Sequence, residues 1–113
     1  PGVSSMSGRS LVGSKYMENS QTTQYTVPAS MKTIIDGIRV TNNSAGAVTF
    51  AINIVPSGGT AGASNLLQPT TSVAAGATTL VLAGTWMNAG DFISTIASTA
   101  TTLVFQVSGR DFS

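Results

Sequence analysis

Ala47-Val48-Thr49-Phe50-Ala51-Ile52-Asn53-Ile54-Val55 is the stretch whose reading decides the fold. Val48, Phe50, Ile52 and Ile54 fall on one face, and Thr49, Ala51 and Asn53 on the other. A period of two with β-branched and aromatic residues is the pattern of a half-buried strand, because successive side chains of an extended chain point to opposite faces. Pro56-Ser57-Gly58-Gly59-Thr60-Ala61-Gly62-Ala63 ends it and must be a loop. Asn42-Asn43-Ser44-Ala45-Gly46 precedes it and reads as a hairpin connection, since Asn and Gly accept the positive φ of tight turns.

Outward from this stretch the chain keeps reading as β. Thr22 to Val27 is a strand that ends at Pro28-Ala29-Ser30. Met31 to Thr41 follows, with Ile34, Asp36, Ile38 and Val40 sharing one parity, so Asp36 is expected to face the core and to need a partner from another strand. Asn65 to Val73 contains Pro69, which places it at a sheet edge. Thr78 to Leu82 is expected to turn Leu80 and Leu82 inward, and Phe92 to Ala97 is a further strand. Ser98-Thr99-Ala100-Thr101 reads as a second hairpin turn, before Thr102 to Val107 with Leu103, Phe105 and Val107 on one face. Phe50, Ile52, Phe105 and Val107 are the predicted core. No helix of ordinary length is predicted. Short strands separated by turns every 8–12 residues predict an all-β fold, an antiparallel β-sandwich or jelly roll of seven or eight short strands, over residues 21–113.

Residues 1–20 read differently. They are rich in Ser and Gly and show neither a helical nor a strand period, so they are expected to form an extended N-terminal arm. Val3, Met6, Leu11, Val12, Tyr16 and Met17 are spaced along it like anchors for pockets on a neighbouring subunit; the other reading lays the arm back along its own sheet. The strands from Thr22 to Val107 hold nearly all the large apolar residues, so the body is expected to fold without the arm.

Nine of 113 side chains are charged, 8% where a free soluble domain carries about 25%. Hydroxyls desolvate at far lower cost than charges, so such a surface suits permanent contacts. The net charge of +1, with five scattered cations, gives no basic face for nucleic acid. No run is long and apolar enough to span a membrane as a helix. An initial Pro fits removal of an initiator Met, which leads to the expectation of synthesis in the cytosol.

Chemistry is hard to place. There is no Cys, and no His to serve as base or ligand. The Gly58-Gly59-Thr60-Ala61-Gly62 run lacks the Lys-Ser/Thr ending of a phosphate loop. Neither paired carboxylates nor an activated serine can be assigned, so no enzymatic activity, cofactor or metal is expected. Trp86, Tyr16 and Tyr25 are the aromatic residues that could form a sugar platform, and Trp86 is expected instead to cover one end of the core.

The stretch from Arg39 to Arg110 resembles a group of small structural proteins of tailed bacteriophages. The resemblance is carried by Val40-Thr41-Asn42-Asn43-Ser44-Ala45, Ile54-Val55-Pro56-Ser57-Gly58-Gly59-Thr60-Ala61, Asn88-Ala89-Gly90-Asp91-Phe92-Ile93 and Val107-Ser108-Gly109-Arg110-Asp111. It implies a virion component assembled in the host cytoplasm, decoration- or cement-like. Its partners would be the major capsid protein or other virion proteins, with copies of itself as a homo-oligomer. A tail, head-fibre or baseplate module and a carbohydrate-binding or adhesin sandwich are the alternatives. An exposed Trp86 beside a cleft would favour the last of these.

Overall fold

Nine strands in two antiparallel sheets make up the computed structural model, which describes residues 8–81 and 84–112. They are β1 (Gly8–Tyr16), β2 (Thr22–Thr26), β3 (Lys32–Asn42), β4 (Val48–Val55), β5 (Leu66–Val73), β6 (Thr78–Val81), β7 (Thr85–Met87), β8 (Phe92–Ala97) and β9 (Leu103–Phe112). One sheet runs β1-β9-β3-β6, with β7 continuing along β3 beside β6; the other runs β2-β8-β4-β5. Apart from the three-residue β7, the pairing is nested: β1 with β9, β2 with β8, β3 with β6, β4 with β5. This is the jelly-roll arrangement of two packed sheets. Pro69 lies in β5, an edge strand, as a residue without an N–H donor requires.

The core lies between the sheets. Phe50 and Phe105, one from each sheet, are 1% exposed, and Ile52 and Val107 are fully buried. Burial of each such side chain stabilises by about 1.5–3 kcal/mol. Asn53, on the opposite parity of β4, is also buried, because the glycine-rich loop folds over it. Its amide donates to the Gly62 carbonyl at 2.9 Å and to Asn65 Oδ1 at 2.7 Å.

Four sequence expectations change here. Residues 8–16 are a strand of the sandwich itself, hydrogen-bonded to β9 from Gly8–Arg110 to Tyr16–Val104. Val12 and Met17, expected to anchor on a neighbour, belong to this chain's own core at 7% and 0% exposure, and Leu11 packs against it. The strand went unseen because register shifts between Ser10 and Val12 and between Val12 and Lys15 break its period of two.

The second change is at Asp36. A bulge between Ile35 and Gly37 resets the parity of β3, so Ile35 and Ile38 both face inward while Asp36 faces solvent. Its partner does come from another strand, Arg110 of β9 at 3.0 Å. The buried carboxylate is Asp111, whose Oδ1 accepts hydrogen bonds from the Tyr25 and Thr33 hydroxyls, both at 2.7 Å. Tyr25 belongs to one sheet and Thr33 and Asp111 to the other, so this network ties the two together at one end.

Third, β6 has the opposite parity. Val81, across from Ile38, is buried, and Leu80, across from Arg39, is 61% exposed; Leu82 lies outside the described residues. Fourth, the segments at residues 42–46 and 98–101 are corners rather than hairpins. Each carries the chain from one sheet to the other. The buried Asn42 amide donates to the Gly46 and Val73 carbonyls, and its oxygen accepts from the Ser44 N–H and hydroxyl. That accounts for every polar atom of the side chain and holds the first corner.

Candidate interaction surface

At one end of the sandwich aromatic rings, polar groups and a hollow meet, and three elements build the place. Lys32 opens β3 opposite Phe112 of β9, and two residues on Ile34 pairs with Trp86 of β7. Met87 turns into the core, so Trp86, its neighbour on an extended strand, must turn out. Trp86 is 58% exposed, correcting the expectation that it covers an end of the core. It is held at the sheet surface by the Phe112 ring, with centroids 5.2 Å apart and planes inclined by 39°, within the usual range for an aromatic pair.

Two turns complete this end. Met31 N–H closes on the Pro28 carbonyl at 3.2 Å, and Asp91 N–H closes on the Asn88 carbonyl at 3.0 Å. Gly90, at φ +86°, occupies the left-handed region that the second turn requires. The turns are laced together by Val27 N–H to Asp91 O at 2.9 Å and Gly90 N–H to Val27 O at 3.0 Å. Between them lies a hollow of about 470 Å³ lined by Ser30, Met31, Lys32, Asn88, Ala89 and Phe112. The Asp111–Tyr25–Thr33 network is on the buried side of the same strands.

The anchor residues expected in the N-terminal segment do not form one surface. Val12 and Met17 are interior, and Leu11 is partly buried. Tyr16 is 41% exposed and its hydroxyl accepts a 3.2 Å hydrogen bond from the Asn43 amide. Val3 and Met6 lie outside the described residues. Just beyond β1, Glu18 accepts from Gln24 at 2.8 Å and from Lys15 at 3.0 Å. Those hydrogen bonds, led by the one from Gln24, hold its carboxyl below the ordinary value of 4.5.

Leu80, Trp86, Leu66 and Tyr16 are the large apolar side chains left exposed among the described residues. Sequence reasoning missed the first two, and only strand register settles which way they point. Among the described residues no three of His, Cys, Asp or Glu come together as a metal site, and no helix is long and apolar enough to cross a membrane.

No family model matches the chain, and no curated protein matches it. Among solved structures the fold is similar to that of Bacillus endospore appendages, described as a novel family of disulfide-linked pili. The identity is 12% and the TM-score 0.57, over 96% of this chain and 88% of that one. It is also similar to a chain in the structure of infectious bursal disease virus Gx strain, at 12% identity and TM-score 0.54. That match covers 94% of this chain but 31% of the viral one. Such identities establish a shared β-sandwich fold. The sequence described here has no Cys.

Proposed function

We propose that this protein is a structural subunit of a tailed-bacteriophage virion, a decoration protein that binds the head surface and stabilises it by bridging subunits. The observation that carries the reading is the state of the surface. The core is closed within the chain, yet Leu80 and Tyr16 remain exposed on a molecule with nine charged side chains. A surface of hydroxyls and isolated large apolar groups loses little on being covered by protein. Two further points support it: the turn motifs shared with small phage structural proteins, and a fold similar to that of chains from a pilus and from a virus. In this reading the protein works through contacts, with capsid protein and copies of itself as partners. The clamp role of the N-terminal segment narrows to Val3, Met6 and Tyr16. The test is to purify particles from a lysate of the producing cells on a density gradient and quantify the chain in each fraction. It should travel with intact particles at a fixed copy number. Recovery only at the top of the gradient would sink the proposal.

A further inference from the structure

We propose that the Trp86–Phe112 edge and the hollow beside it form a glycan-binding site that takes a pyranose ring. This goes beyond the structural role and does not depend on it. A pyranose has two unlike surfaces, a patch of C–H groups and a rim of hydroxyls. The C–H patch carries partial positive charge and is attracted to the negative face of an aromatic ring. Trp86 presents such a face, 58% exposed, and Phe112, pressed against it, limits its motion. The hydroxyl rim needs donors and acceptors within a side chain's reach. Ser30, Lys32 and Asn88 line the adjoining hollow, and among the described residues their side chains make no hydrogen bond of their own. A hydroxyl, an ammonium and an amide together can both donate to and accept from a vicinal diol.

The volume fits as well. About 470 Å³ lies in the range of small-ligand sites, on the order of 300–1,000 Å³. The frame is fixed beforehand. The two turns are hydrogen-bonded to each other, and the Asp111 network locks β2, β3 and β9 behind them, so binding has little ordering to bring about. A protein partner is the competing occupant, but Lys is depleted in the centres of protein interfaces. Here Lys32 stands in the wall of the hollow, with Asn88 and Ser30.

The chain contains one tryptophan, so its emission, excited selectively over Tyr16 and Tyr25, reports this site. Full-length protein is titrated with cellohexaose, maltohexaose, chitotetraose and methyl α-rhamnoside while the emission is followed. At least one probe should give a saturable shift of emission with a millimolar or tighter midpoint. By calorimetry, Trp86→Ala should weaken binding at least tenfold while far-UV circular dichroism stays unchanged. Leu80→Ala, which removes another exposed apolar side chain of the same sheet, should leave affinity within twofold. Three results would overturn the site: no saturable response to any probe, full affinity in Trp86→Ala, or equal losses in both variants. If Trp86→Ala instead releases the protein from particles while no sugar binds, the edge is a protein contact and the glycan site is wrong.

Discussion

Gly109 and Met17 show how much of the fold rests on single positions. Gly109 sits in β9 between β1 and β3, with no room for a side chain. A Cβ there would run into the Ile34 carbonyl oxygen and come within 2.8 Å of the Leu11 side chain. One of these obstacles is backbone in the central part of the sheet and cannot swing aside. Gly109→Ala should therefore destabilise by about 1–3 kcal/mol or more, the range for overpacked interiors. Urea unfolding with an unchanged m-value would measure it, and a cost near zero would mean that β9 does not lie against β3 and β1 as described. Met17 follows β1 and is fully buried, its N–H bonded to the Leu103 carbonyl at 2.7 Å. Met17→Ala should cost about 2–5 kcal/mol through lost burial and the cavity left behind. The same variant would be nearly silent if residues 1–20 were a free arm, so a midpoint shift of this size decides between the two arrangements.

Strands differ in how plainly they announce themselves. In β4 and β9 the alternation is regular enough to read from the sequence, and Phe50, Ile52, Phe105 and Val107 face inward as expected. In β3 one bulge was enough to misassign Asp36, because a single extra residue exchanges the two faces. In β1 two irregularities erased the pattern. The turns were found, but turn chemistry is local. Asn42–Gly46 bends the chain without stating whether the next strand pairs with the last or crosses to the other sheet. The exposed Trp86 edge was hidden for a related reason: its orientation depends on pairing with β3, a long-range fact. The junction between β1 and β2 also carries an electrostatic prediction. Glu18 is held below its ordinary value of 4.5 by Gln24 first and Lys15 second. A group whose folded value is depressed contributes stability that is present above the unfolded value and lost as pH falls through the folded one. Its titration followed by NMR should have a midpoint below 4.5, and Glu18→Gln should flatten the acid side of the stability profile slightly. The side chain is 39% exposed, so solvent screening keeps the effect well under about 1 kcal/mol. A midpoint at or above the ordinary value would mean that the Gln24 and Lys15 contacts are absent in solution.

At the scale of the molecule, the nested pairing sets an order of events during synthesis. β1 finds its partner only in β9, so Gly8 waits for Arg110 to leave the ribosome. At roughly 10 residues per second that interval is on the order of ten seconds. Meanwhile Val12 and Met17, later interior, have no sheet to enter. Only the innermost pair, β4 with β5, joins neighbours in sequence. Closure is expected to spread outward from that hairpin toward both ends, and such long-range topologies fold in milliseconds to seconds rather than microseconds. A nascent chain of this kind leaves β1 and β3 without their β9 partner, open to other copies, just when many are being made. Its neutral, hydroxyl-rich composition offers little charge repulsion during that window. Nested pairing and a nearly uncharged surface together make synthesis the moment of greatest risk.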